Sequence, residues 1–228
     1  MTGFNVALIM DGNRRWAKQH ALQPFKGHKK GAEKLEEILE WCKSKDIHSV
    51  TLYAFSTENF KRSEEEKNHL FALFEDHFKR MLEKITSGEI TDTRIKFLGN
   101  LSLFPDVIKD LAEQIEALTS DQETNVLQFC IGYGGRQEIV HAVKDIIKKG
   151  IPPEDVNEDT ILQHLYTPIE PDIVIRTSGE VRTSNFLPFQ ATYAEWFFTP
   201  TLWPDFGEQE FEEILDEFKT KRKRRNGK

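Results

Sequence analysis

Strand-length apolar runs alternate along this chain with stretches of helical period, and that alternation limits the fold more than any single motif. NVALIM (5–10) reads as a buried strand, HSVTLYAF (48–55) as a second, and RIKFLG (94–99), NVLQFCI (125–131) and DIVIRT (172–177) as three more. Helical stretches separate or follow them. Residues 14–20 form a short one, and 31–45 a second, with Leu35, Ile38, Leu39 and Cys42 on one face. A long third helix over 63–86 carries Leu70, Phe71, Phe74, Phe78, Met81, Leu82 and Ile85. Ser63 followed by Glu64, Glu65 and Glu66 predicts its N-cap, with a capping box and an acidic first turn. Further helices are expected near 105–119, 137–149, 158–165 and 208–223. Strands separated by helices run parallel through crossover connections. The expected fold class is therefore α/β: a single domain over 1–228 with a central, mostly parallel sheet flanked by helices.

Composition narrows the function. With 31 basic against 38 acidic residues and a net charge of −7, the chain lacks the basic excess of a nucleic-acid binder, and no nucleic-acid partner is expected. The basic tail KTKRKRRNGK (219–228) is open between a frayed helix end and a contact to anionic substrate or lipid headgroups. No apolar run of about 18 residues occurs, and no basic-then-apolar leader opens the sequence, so a cytoplasmic protein is expected. Cys42 and Cys130 are far apart within apolar patterns, which predicts buried free thiols. Core packing accounts for most of the seventeen phenylalanines, and an apolar ligand channel could use some of them.

In an open parallel sheet the ligand sits beyond the carboxyl ends of the strands. The loops there share a character: DGNRRW after the first run, STENFKR (56–62) after the second, GYGGR (132–136) and RTSGEVRTSN (176–185) after two others. Each joins arginine to Gly, Ser, Thr or Asn, which together predict a polyanion site. Gly12 lets the backbone approach an oxyanion, a helix starting at Asn13 or Arg14 aims N–H groups at it, and Arg14 and Arg15 add charge. Asp11 does not fit an anion nest by itself. Either it caps the first helix, or it meets the anion through a cation, for which Mg²⁺ held by one or two carboxylates and phosphate oxygens is the usual choice. The motifs of P-loop kinases, dinucleotide enzymes, zinc proteases and serine hydrolases are absent.

With MDGNRRWA (10–17), GHKKGA (27–32), LYAFSTENFKR (52–62), GYGGR, DIVIRTSGEVRTSNFLPFQATYAEWFF (172–198) and LWPDF (202–206) in order, the sequence resembles the cis-prenyltransferases. These are the undecaprenyl and dehydrodolichyl diphosphate synthases. The resemblance implies a homodimer whose sheet and two helices enclose an apolar tunnel for a growing chain. It implies condensation of isopentenyl diphosphate with an allylic diphosphate of farnesyl or geranylgeranyl type, to a Z-polyprenyl diphosphate that serves as a glycosyl carrier. Mg²⁺ is the implied cofactor, and product release implies a peripheral association with a membrane surface.

Carried over by motif, Asp11 holds Mg²⁺. Gly12, Asn13, Arg14, Arg15 and Trp16 belong to the allylic diphosphate loop, with His28 from the GH pair. Ser56, Thr57, Glu58, Asn59, Phe60 and Arg62 form a second substrate loop. An amide is too weak a base to take a proton alone, so Asn59 is expected to orient Ser56 or substrate while diphosphate accepts the proton. Arg176, Arg182, Thr183 and Ser184 bind isopentenyl diphosphate, and Glu195 is a second metal carboxylate supplied across the dimer.

Three positions depart from the family pattern. Pro24 stands where an arginine is usual, with Lys26 the nearest cation; Phe60 replaces Trp; Gly132 replaces Asn. His28 is open between a partial substitute for the missing arginine and a helix-capping residue. A non-catalytic partner subunit would be expected to lack Asp11 or the RxxxxxRxS set (Arg176, Arg182, Ser184), both of which are present. Pro24 keeps open a condensation whose acceptor is itself an allylic diphosphate.

Overall fold

The structure, a computed structural model, describes residues 3–45 and 47–225, the last four of these by backbone only. Six strands form one sheet: β1 (Phe4–Ile9), β2 (Ile47–Ser56), β3 (Thr93–Leu98), β4 (Asn125–Tyr133), β5 (Ile173–Arg176) and β6 (Glu195–Phe198). Their order is β3-β4-β2-β1-β5-β6, and every pairing is parallel. The central strands read as nearly unbroken apolar runs because both their faces are covered, as in parallel sheets generally. β6 was not expected from sequence. It is four residues long, lies at the sheet edge and buries only Phe197 fully.

Seven helices cover the sheet among the described residues: α1 (Asn13–Gln19), α2 (Pro24–Lys43), α3 (Glu64–Thr86), α4 (Asp106–Leu118), α5 (Gly135–Lys148), α6 (Glu158–His164) and α7 (Glu208–Arg225). The larger apolar core joins Val6, Leu8, Leu52 and Phe129 from the sheet to Ile38, Phe78, Ile108 and Phe211 from the helices. On the opposite face Ala7, Ile9, Cys130 and Val174 pack with Tyr133, Phe186 and Leu187. Cys42 and Cys130 are free and buried, as expected.

α2 starts seven residues before its predicted start. Pro24 occupies its first turn, where proline is well tolerated. Gly27 and Gly31, which lower helix propensity, face Asn13. A Cβ at Gly27 would run into the Asn13 carbonyl, and one at Gly31 into the Asn13 side chain and Trp203. Close approach of α2 to the loop after β1 is what these glycines provide.

α7 runs on to Arg225, past its expected end at 223. Within the basic tail, Lys219 lies 3.8 Å from Asp216 and Lys221 lies 2.7 Å from Glu217. The side chains of 222–225 and all of 226–228 lie outside the described residues, so the reading of that tail as an anion contact does too. No described helix is long and apolar enough to cross a membrane.

Candidate active site

Parallel strands put the loops after β1, β2, β4 and β5 at one end of the sheet, and there the charged residues collect. An open pocket of about 800 Å³ is lined by Asp11, Gly12, Asn13, Arg14, Arg15, Lys18, Pro24, His28, Arg62, Glu180 and Arg182, among others. Gly12 adopts φ +114°, a backbone state open to glycine, and a Cβ there would press on Leu202.

Arg176 ends β5 beside Ile9 of β1. It is buried, and its guanidinium donates to Asp11 Oδ2 (2.9 Å), Ser184 Oγ (2.6 Å) and the Arg182 carbonyl (2.6 Å). Its Nε has no partner among the described residues. The Thr177 hydroxyl donates to the Asp11 carbonyl (2.7 Å) and accepts from the Asp11 N–H (3.0 Å), which locks the two loops together. Arg15 donates to the carbonyl (2.9 Å) and hydroxyl of Ser178. Asp11 is not the cap of α1: Gly12 holds that position, without a side-chain hydrogen bond.

The second bank is a 3-10 turn over Thr57–Lys61. The Ser56 N–H donates to Asn59 Oδ1 (3.0 Å) while the Ser56 side chain accepts from the Asn59 backbone, so these two residues form a capping box. Phe60, in the tryptophan position, packs edge-on against Phe55 and Phe104 at centroid distances of 4.8 and 5.3 Å. Thr57 bonds Glu58 at 3.2 Å. The third bank is GYGGR. A Cβ at Gly134 would strike Thr57 and Asn185, which is how the second and last loops come together. Arg136 acts there through its backbone, its N–H donating to Asn185 Oδ1 at 2.9 Å.

The Ser63 hydroxyl caps α3 by accepting from the Glu66 N–H (3.3 Å). The predicted capping box does not form. The Glu66 carboxylate turns instead to Arg62 (3.1 Å), with Arg14 and His28 each at 3.8 Å. His28 lies inside α2 and is not a cap. Burial first, then Arg62 and Arg14, pushes it down to about 4. It is therefore neutral near pH 7 and offers a hydrogen bond, not a charge, in place of the arginine absent at Pro24. Lys26 does not line the pocket; its amine sits over the Phe25 ring at 5.2 Å. Trp16 also lies outside it, with its indole N–H on Asp205 Oδ1 (2.7 Å) and its ring stacked on His20. Thr183 contributes its carbonyl to the Phe186 N–H (3.1 Å).

Behind the charged mouth runs an apolar cavity of about 290 Å³ between the sheet and the helices α2 and α3. Met10, Asn13 and His28 stand at the mouth. Leu35, Leu39, Ala54, Leu70, Phe74, Phe78 and Met81 line its length, and Thr93, Asp92 and Asn125 its far end. The pairing of β2 with β4 skips Ala54, so the strand bulges there and Ala54 and Phe55 both join the helix-side core. The long apolar face of α3 thus serves as a tunnel wall.

Glu195 opens β6, level with Ile173 and Val6, whereas Asp11 lies five residues beyond Val6. That offset is about 16 Å along the strands. Within one chain the two carboxylates are at opposite ends of the sheet, and among the described residues no group of three His, Cys, Asp or Glu is arranged to hold a metal. Glu180 and Tyr53 were not singled out from sequence. Tyr53 donates to the Ser184 carbonyl at 3.2 Å, and Glu180 lies between Arg15 and Arg182.

A pocket of cations opening onto an apolar tunnel defines a transferase of prenyl chains carried as diphosphates. Residues 9–227 match the family described as "Putative undecaprenyl diphosphate synthase". The chain is 47% identical to the tritrans,polycis-undecaprenyl-diphosphate synthase (geranylgeranyl-diphosphate specific) of Pyrococcus abyssi, over 98% of this chain and 86% of that one. Its fold superposes on lavandulyl diphosphate synthase from Lavandula x intermedia in complex with dimethylallyl diphosphate, with a TM-score of 0.88 and 32% identity over 95% of each chain. A probable undecaprenyl diphosphate synthase from Campylobacter jejuni gives a TM-score of 0.80 and 31% identity over 96% of each. The chain belongs to the cis-prenyltransferase family and is a prenyltransferase of the polyprenyl diphosphate synthase type.

Proposed function

We propose that the protein condenses isopentenyl diphosphate with geranylgeranyl diphosphate, extending it to a Z-polyprenyl diphosphate for use as a glycosyl carrier lipid. The observation that carries this reading is the continuity of the cationic mouth with the apolar cavity. A diphosphate held by Gly12, Asn13, Arg14, Arg15 and Arg62 would lay its prenyl chain between α2 and α3, while Arg176, Arg182 and Ser184 hold the second diphosphate. The preference for a geranylgeranyl over a farnesyl primer rests on the printed specificity of the Pyrococcus relative.

In the condensation the allylic carbon–oxygen bond breaks and the terminal alkene carbon of isopentenyl diphosphate forms the new bond. A C2–H bond of the isopentenyl unit then breaks, its electron pair forming the new Z double bond and its proton going to the departing diphosphate. The chain's own part is placement of the two substrates and stabilisation of developing charge by fixed cations. Asn59 serves by fixing the turn that follows Ser56. The donor set at the mouth fits an ion that arrives with its substrate: two carboxylates, Asp11 and Glu180, each paired with arginine, are too little for a protein cage, yet Mg²⁺ is usually held by one or two carboxylates plus phosphate. Asp11 would hold it, with the partner subunit's Glu195. When bound, the ion supplies charge neutralisation on the leaving diphosphate.

The homodimer reading is supported by exposed apolar side chains. Val140, Val143 and Ile147 form a stripe on α5, and Tyr193, 85% exposed, precedes the edge strand β6. We place the enzyme in the cytoplasm, working at a membrane surface where its water-insoluble product is released.

Purified protein with Mg²⁺, geranylgeranyl diphosphate and labelled isopentenyl diphosphate is expected to give an extended polyprenyl product, and chelation to stop it. Absence of incorporation with either geranylgeranyl or farnesyl diphosphate overturns the reading. A second reading has its own observations, Pro24 and the likeness to lavandulyl diphosphate synthase: an allylic diphosphate as acceptor. Coupling of dimethylallyl diphosphate to itself, without isopentenyl diphosphate, would identify it.

A further inference from the structure

Glu180 is a carboxylate inside an anion pocket, and the reaction as written gives it no task. Its Oε1 lies 3.5 Å from Arg15 Nη1, and its Oε2 lies 2.6 Å from Arg182 Nη1. Arg15 comes from α1, on the allylic side, and Arg182 from the loop after β5, on the isopentenyl side. The two oxygens of one side chain therefore span both substrate grips.

The loop is shaped to keep it there. Ser178 and Gly179 both adopt positive φ, +82° and +77°, which is unusual for the serine. The Ser178 carbonyl accepts from Arg15 at 2.9 Å, so the residue two positions before Glu180 is tied to the same guanidinium. Glu180 differs from Asp11, the other acid at the mouth. Asp11 is held by buried Arg176 at 2.9 Å, with Arg15 a longer contact at 3.7 Å, whereas both partners of Glu180 have exposed side chains, 45% and 60%. Ion pairs of that exposure are individually weak and exchange readily for a stronger anion. A diphosphate offers more charge and more acceptor oxygens than a carboxylate, so it outcompetes Glu180 for either arginine.

On the two-diphosphate reading above, we propose that Glu180 is a positioning residue that couples the two substrate grips. Its carboxylate stands in for substrate charge and holds Arg15 and Arg182 toward each other. The first diphosphate to bind repels it from both, which frees the second arginine and strengthens binding of the second substrate. Such coupling is reciprocal: each substrate improves binding of the other by the same factor.

The test uses the full chain and Glu180→Gln, with inorganic diphosphate as the calorimetric probe in the absence of metal. The variant is expected to bind the probe about fivefold more tightly, the upper range of what an exposed ion pair contributes. In the wild type the KM for isopentenyl diphosphate should fall as the allylic substrate is raised to saturation; in the variant it should be low throughout. Glu180→Asp, which keeps the charge, should restore part of the wild-type behaviour. A gain in affinity is an outcome that a merely structural role cannot give. Unchanged or weaker binding by Glu180→Gln overturns the coupling role while leaving the diphosphate reading intact. Absence of probe binding to the wild type overturns both.

Discussion

The guanidinium of Arg176 meets the carboxylate of Asp11 at 2.9 Å, joining the carboxyl ends of two adjacent parallel strands. The pair ties Asp11, which lines the mouth, to a guanidinium buried behind it. Lysine in place of Arg176 could keep a charge, but not the fork that reaches Asp11, Ser184 and the Arg182 carbonyl together. Arg176→Lys should lower kcat/KM for isopentenyl diphosphate by about a hundredfold, the scale for loss of one preorganised anion donor. Arg176→Met should also lose about 2 kcal/mol of stability. That is less than the ~3–5 kcal/mol of a fully buried broken pair, because the Asp11 side chain is 33% exposed. Steady-state kinetics and thermal denaturation read the two effects; Arg176→Lys within tenfold of wild type would refute the assignment.

Sequence made the fold and the site legible to different depths. β1, β2, β4 and β5 are largely buried on both faces, so each shows as a short apolar run bounded by turn residues. β6 does not, because EWFF is short, lies at the edge and lacks alternation. The start of α2 was hidden by Pro24 in its first turn and by Gly27 and Gly31, glycines that serve close approach to Asn13 and Trp203 and not helix propensity. Parallel topology brings the four loops together, so their gathering was readable. The direction of individual side chains was not: Trp16 reaches Asp205, and Lys26 lies on Phe25. Glu180 follows a glycine in a loop, where no spacing or motif marks a carboxylate that spans two arginines.

His28 gives a pH dependence with a definite sign. Its folded value is about 4 against the ordinary 6.5, lowered mainly by burial, so the unfolded chain binds the proton more readily. Stability from this group is fully present above pH 6.5 and is lost as pH falls toward 4, about 3 kcal/mol in all. Denaturant titrations of the wild type and His28→Gln should therefore run parallel above pH 6.5 and diverge below it, with the wild type losing more. Parallel curves down to pH 4 would show that His28 is protonated as easily when folded.

Ala54 lines the cavity at the bulge in β2, where a longer side chain projects into the path between α2 and α3. Ala54→Leu should shorten the product by one or more prenyl units. It should cost less than about 1 kcal/mol in stability, because the added atoms enter open space and not a packed core. Chromatography of the dephosphorylated products measures the change. An unaltered length distribution would mean that the growing chain does not pass Ala54.

Glu195 lies at the wrong end of its own sheet to meet Asp11, so the proposed metal site requires two chains. Asp11→Ala and Glu195→Ala should each be nearly inactive alone. In a hybrid dimer of the two, one site pairs the Asp11 of the second variant with the Glu195 of the first and is complete, while the other site lacks both carboxylates. Random reassortment makes half of the dimers hybrid, so mixing the variants should recover about one quarter of wild-type activity. Subunit exchange followed by the isopentenyl incorporation assay tests this directly. A mixture as inactive as its components, with exchange verified by mass spectrometry, would place the function of Glu195 within its own chain.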